Sequence, residues 1–181
     1  MLRENSALQG NKDTAMTQND NTSAVTHALM VTGSRQWAGP GYQRRMRDAF
    51  NELWRQWGSP VGTKPLLLSG HAAHGADAMA EALWQQAGWP IKTFPADWSS
   101  SRGAGLARNQ EMAQYLARLA QSGTHVAVLA FHVPCDKPGC PQGSNQQLAP
   151  RYPGHWSHGT THCRNTAVTM GLPVTDIFPP S

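Results

Sequence analysis

From Ala28 onward, short apolar runs alternate with longer stretches whose apolar residues recur at helical spacing, and that alternation leaves few folds open to the chain. The run from Ala28 to Thr32 reads as a buried strand. Tyr42, Met46, Phe50, Leu53, Trp54 and Trp57 then mark one face of a helix that stops at Gly58. A second unit pairs the strand 66–68 with a helix carrying Ala76, Met79, Ala80, Leu83, Trp84 and Ala87, closed by Gly88 and Pro90. Strand 91–94 precedes a helix marked by Met112, Tyr115, Leu116 and Leu119. Strand 126–131 is the most apolar, and a helix near 160–170 leads to strand 174–177. Five strands alternating with four helices predict an α/β fold: a Rossmann-like, doubly wound, mainly parallel five-stranded sheet with helices on both faces and right-handed crossovers. Ligands of such sheets bind beyond the carboxyl ends of the strands, so the loops leaving those ends are where function is expected.

At 181 residues the chain fits one domain with a core of ordinary size. Residues 1–27 are expected to form a disordered or loosely docked tail. They are rich in Asn, Thr, Ser and Gln and lack the apolar periodicity that would offset the entropy of ordering. Residues 28–181 form the folded domain, with a Cys/His/Pro-rich loop insertion at 132–157. No run approaches the length of a membrane span and no signal peptide is recognisable, so a cytoplasmic protein with no membrane partner is expected. Three cysteines are too few for a disulfide framework. The net charge is +4, and eleven of the fifteen basic residues are Arg, a side chain suited to phosphate. No Lys/Arg-rich run appears, which favours a small anionic ligand over an extended nucleic-acid surface.

Four loops carry the chemistry. Gly33, Ser34 and Arg35 follow the first strand and offer a glycine, a hydroxyl and a guanidinium. Gly70, Gly75 and Asp77 lie between the second strand and its helix, where backbone N–H groups meet a positive helix end. Asp97 and Trp98 precede a loop that runs into Arg108 and Asn109. An Arg at a helix start opposes the helix dipole and is expected to face an anion or a carboxylate. Ser157, Gly159 and Thr160 open the last helix. Capping accounts for each opening alone; an anionic, nucleotide-like ligand accounts for all four on one rim.

These motifs, in this order and at these places, resemble the SLOG superfamily, specifically its YspA-like branch, over about 29–177. The resemblance implies a domain binding nucleotides or nucleotide-derived ligands, related to the LOG cytokinin-activating phosphoribohydrolases and to the DprA/Smf proteins, with homo-oligomers a further implication. Under it, Arg35 and Arg108 hold phosphate, and the loops at Gly70–Gly75 and Ser157–Thr160 donate N–H groups. Asp77 and Asp97 orient ribose hydroxyls or a bound cation, and Trp37 or Trp98 covers the base. Two departures stand out. His74 replaces the arginine of the branch's Gly-Gly-Ala-Arg-Gly-Ala-Asp type loop. Thr161, His162, Cys163 and Arg164 stand where LOG enzymes carry a glutamate after the Gly-x-Gly-Thr turn. A sensor or carrier is therefore the leading expectation. The alternative is a LOG-type N-glycosidic hydrolase or transferase that uses Asp77 or Asp97 as its catalytic carboxylate.

His132, Cys135, Cys140, His155, His158, His162 and Cys163 crowd the loop before the last helix. Cys135 and Cys140 across a Pro-Gly turn can hold a structural Zn²⁺ with His155 and Cys163, or with His158 or His162 in place of one of these. A flexible lid with incidental cysteines is the competing reading. Trp54, Trp57 and Trp84 fall on apolar helix faces, whereas Trp37, Trp98 and Trp156 lie in loops. His71 and His74 are expected to hydrogen-bond within their loop.

Overall fold

The computed structural model describes residues 25–99, 103–135, 140 and 155–180. Its strands are β1 (His27–Gly33), β2 (Leu66–Ser69), β3 (Ile91–Thr93), β4 (His125–Phe131) and β5 (Val174–Ile177). Its helices are α1 (Pro40–Gln56), α2 (Ala76–Ala87), α3 (Ala104–Gln121) and α4 (His158–Thr169). The strands form one five-stranded sheet in the order β3-β2-β1-β4-β5, parallel throughout. This is the expected α/β, Rossmann-like architecture.

Alternation within the strands sends side chains to two cores. Leu29, Val31, Leu67, Leu129 and Phe131 pack beneath α1 and α2, against Met46, Leu53, Ala80 and Trp84. Ala28, Met30, Leu68 and Val128 face the other way, against Met112, Ala113 and Leu116 of α3 and Cys163 and Ala167 of α4. Helices thus cover both faces of the sheet. Each large apolar side chain removed from water this fully stabilises the fold by about 1.5–3 kcal/mol, so β1 and β4 make a stiff platform for the loops they end in. The edge strand β3 is short and open, with Lys92 and Thr93 exposed. A charged, short edge discourages further pairing.

The elements run slightly past their expected limits. β1 starts at His27, inside the stretch assigned to the tail, and Val25 already packs on the α3/α4 side of the core. The ladder pairs His27 with His125, which explains the early start. Residues 1–24 of the expected tail, and most of the expected insertion at 132–157, lie outside the described residues. α4 begins at His158, two residues before the helix read from sequence. No helix is long and apolar enough to cross a membrane among the described residues.

Two glycines set how closely the loops approach. A Cβ on Gly33 would stand 2.9 Å from that of Phe131 and run into that of Ala76, so only glycine lets β1 pass under the start of α2. Gly75 has φ 84 and abuts the Ser34 carbonyl and the Arg35 backbone, a place where a side chain would be both strained and blocked. Glycine at 33 and 75 therefore holds the first two loops together.

Candidate functional site

Beyond the carboxyl ends of β1 and β4, where the strand order reverses, the loops enclose a cleft of about 650 Å³. That volume lies within the range of small-ligand pockets. Gly33, Ser34 and Arg35 line it from β1, Gly70 and Asp77 from β2 and α2, Arg108 and Asn109 from α3, and Ser157, Gly159 and Thr160 from α4. Trp98 stands at its mouth. Two expected residues are missing from the lining, Gly75 and Asp97. Gly75 is consumed by the loop packing just described. Asp97 is exposed and accepts hydrogen bonds from the Ser99 backbone and hydroxyl, an Asx-type turn that directs it locally.

Several residues have other tasks than their positions suggested. Arg108 lies in the second turn of α3, not at its start. Its Nη1 donates to the carbonyls of Gly70 and Phe94, and its Nε donates to Asn109 Oδ1 at 2.9 Å. Asn109, 5% exposed, in turn donates to the Gly159 carbonyl at 3.4 Å. One chain of hydrogen bonds thus joins the ends of β2 and β3 to α3 and the first turn of α4. Arg108 is chiefly the tie beneath the cleft. Ser34 is a similar hub: its N–H donates to Phe131 O and its carbonyl accepts from Trp37 and Ala76, each at 3.1 Å, while its hydroxyl accepts from Gln36.

Trp37 is fully buried, its indole N–H donating to the Tyr42 carbonyl, and Trp156 is buried as well. Neither can cover a base. Trp98 is 60% exposed, with the Arg35 guanidinium 5.8 Å from its ring centre. An exposed aromatic face beside an exposed cation is a good seat for a planar, anionic ligand.

Asp77 is 5% exposed at the cleft floor and accepts from the Ala72 N–H at 3.3 Å. Burial pushes its carboxyl up to about 6, against the pull of Arg108, the Ala72 amide and Arg35. Glu81 also raises it and is held apart in a second group, where the Ser69 hydroxyl donates to it at 2.6 Å and His71 Nδ1 meets it at 3.0 Å. The His71 ring is therefore tied to α2 and only its backbone N–H bonds inside the loop, to the Ser69 hydroxyl at 3.2 Å, which departs from the expected pairing within the loop; His74 is exposed. Glu81 went unnoticed in the sequence because it sits mid-helix, among residues that read as an ordinary amphipathic face.

The helices around the cleft begin without side-chain caps. Gly75, Gly103 and Ser157 precede α2, α3 and α4, and none makes a side-chain capping bond. The Ser157 hydroxyl donates to Thr160 Oγ1 instead. α3 and α4 also lack an acidic residue in their first turns. Capping, the simpler account of these openings, does not operate here. The Ala76 N–H of α2 is taken by the Ser34 carbonyl, whereas first-turn residues of α3 and α4 line the cleft with the positive ends of their helices.

One wall of the cleft is shared with a second cluster. Cys135, Cys140, His155 and His158 bring one donor atom each within 4.8 Å of one another, an arrangement that can hold a metal ion. Cys140 Sγ lies 3.0 Å from His155 Nε2 and 2.8 Å from His158 Nε2, and the two Nε2 atoms are 3.0 Å apart. Tetrahedral S₂N₂ ligation spaces its donors by about 3.3–3.8 Å, so these three donors need to part only slightly to take an ion, with Cys135 Sγ completing the set inside the 4.8 Å limit. The expected quartet is corrected in one place: His158, not Cys163, completes it. Cys163 is fully buried under the sheet in the α3/α4 core, where burial pushes its thiol up to about 11. His162 and His132 are not in the cluster either. His132 is fully buried and bonds Asp176 at 2.8 Å.

Neither protein-family models, nor curated proteins, nor solved structures give a match to this chain.

Proposed function

We propose that the cleft binds a nucleotide or nucleotide-derived anion and that the protein acts as its sensor or carrier, in keeping with the resemblance to the YspA-like branch of the SLOG superfamily. The observation that carries this reading is the convergence of uncapped, acid-free starts of α3 and α4 on a cleft at the sheet's switch point. The phosphate sits on the first turn of α4, with Arg35 closing over it. The base stacks on Trp98. The ribose diol donates to Asp77, adding to the hydrogen bond from the Ala72 N–H and offsetting the cost of burying the charge.

The second reading, an enzyme that breaks the N-glycosidic bond, draws on Asp77 alone, since Asp97 stands outside the cleft. A carboxyl held at about 6 is in the range of a general acid. Thr161, His162, Cys163 and Arg164 offer no second carboxylate. We favour binding without turnover. At the Cys/His cluster we infer Zn²⁺ in a structural role: two sulfurs and two imidazoles suit that ion, and four protein donors leave it no open position.

Thermal shift with a panel of nucleoside mono- and diphosphates tests the ligand. At least one member should stabilise the protein, with a gain that shrinks as salt rises. Arg35→Ala should weaken that binding by about 1.5–3 kcal/mol, the range for charge-assisted hydrogen bonds. Chromatography of the same mixtures separates the readings, because release of free base at about 1 s⁻¹ or faster would establish the enzyme.

A further inference from the structure

We propose that the metal ion held by Cys135, Cys140, His155 and His158 is a working part of the cleft. It fixes the first turn of α4 against the end of β4, so that metal occupancy and anion binding are coupled. The inference rests on the anion-binding reading of the cleft.

Cys135 and His158 belong to both places: each offers a donor to the cluster and each lines the cleft. The two backbone segments that carry the donors are zipped together. Pro134 bridges Trp156 in antiparallel fashion, the Cys135 N–H donates to the His155 carbonyl at 2.7 Å, and the Ser157 N–H donates to the Val133 carbonyl at 3.1 Å. His155 and His158 flank Ser157, the residue from which α4 starts. A metal ion on both rings therefore pins the helix start from either side.

The rest of what holds α4 is the backbone zipper, the buried Trp156 and, further along the helix, the pairing of Arg164 with Asp176. The buried residues of α4 are Thr160, Thr161, Cys163 and Ala167, all small, so packing anchors this helix less than a row of leucines would. The polar tie from Asn109 to Gly159 is long at 3.4 Å. Short helices with a small apolar face fray at their ends unless something outside the helix holds them. Two thiolates and two neutral imidazoles balance a divalent ion, so the ion contributes order, not charge. It also makes no direct bond to the ligand, because four protein donors fill its shell. Coupling of this kind is reciprocal: whatever factor the metal adds to anion affinity, the anion adds to metal affinity.

The test uses the full chain purified without chelator, its zinc content measured, and then compared zinc-loaded, chelator-stripped and as Cys140→Ser. That variant removes a donor that does not line the cleft. Amide hydrogen exchange reads the order of α4, and titration with AMP reads the cleft. Stripping should speed exchange at Thr161, whose N–H donates to the Ser157 carbonyl, and at His162 at least tenfold with β1 and β4 unchanged, and weaken AMP binding at least tenfold. Zinc should restore both in the wild type and neither in Cys140→Ser. Zinc well below one equivalent, or unchanged exchange at Thr161 and His162 after stripping, would overturn the proposal. So would equal acceleration in β1 and β4, which would make the metal a staple of the whole fold. If exchange responds as expected while AMP leaves the zinc-loaded protein unmoved, the ordering stands and the nucleotide reading falls.

Discussion

Burial of the Asp77 carboxyl raises it to about 6, well above its ordinary value of 3.8. Such a group favours the folded state most when protonated. Its contribution is greatest below about pH 4, falls between about 4 and 6, and stays low above that. Asp77→Asn keeps the shape without the charge. We expect it to be more stable than wild type at pH 7.5 by on the order of 1–3 kcal/mol, with the gain vanishing as the pH falls to about 4. Denaturant midpoints across that range check this, and no gain at pH 7.5 would contradict it. The same variant should bind the nucleotide less well, because an amide cannot accept both diol protons. A residue that costs stability where it serves binding is a common signature of a functional position. Trp37 and Trp98 differ sharply in burial, the first enclosed and the second 60% exposed. Both lie in loops of similar composition. Trp37 becomes part of the core through the Tyr42 and Phe131 rings packed on it and the Tyr42 carbonyl that takes its indole N–H, all reached through the fold.

Among the elements, α4 and β5 are tied by a half-buried polar group. Asp176 of β5 accepts from His132 just past β4 and, with both oxygens, from Arg164 of α4 at 3.2 and 2.9 Å. Burial alone would raise this carboxyl; the bonds from His132 and Arg164 and the charges behind them outweigh it and bring it down to about 2. Its contribution is therefore present above about pH 4 and lost as the pH falls toward 2. With a side chain only 18% exposed, we expect Asp176→Asn to cost about 2 kcal/mol at neutral pH and much less at pH 2, as urea unfolding at the two pH values would report. Equal losses at both would contradict the assignment.

Period and punctuation made all five strands and four helices legible in the sequence, because a two-sided buried sheet demands apolar runs and each helix must bury one stripe. Finer placement was not legible. Cys163 and Ala167, four residues apart, face the sheet together. His158 lies in the first turn of α4, directly after the bridge between Pro134 and Trp156 that brings it beside Cys135, a pairing across the fold that spacing alone does not reveal. The cleft's Gly33, Ser34, Arg35, Asp77 and Asn109 followed from their loops. The role of Arg108 did not, since its partners are backbone carbonyls 14 and 38 residues away.

At the scale of the molecule, the strand order β3-β2-β1-β4-β5 puts the switch between β1 and β4, the two longest strands and the centre of the sheet. The cleft thus rests on the stiffest part of the fold. Its walls are loops and helix starts held by Arg108, Asn109 and the Cys/His cluster. A second groove of about 430 Å³, lined by Trp54, Trp84 and Trp89, lies between α1 and α2 and offers an aromatic surface without converging helix starts. Amide chemical-shift mapping of the labelled, zinc-replete chain during titration with a nucleotide panel tests whether the cleft is the nucleotide site. Saturable shifts are expected at Ser34, Arg35, Asp77, Gly159 and Thr160, lost at high salt and with the carboxyl-remote ends of β1 and β4 silent. Shifts gathered around Trp54, Trp84 and Trp89 instead, or no saturable shift from any nucleotide, would contradict it.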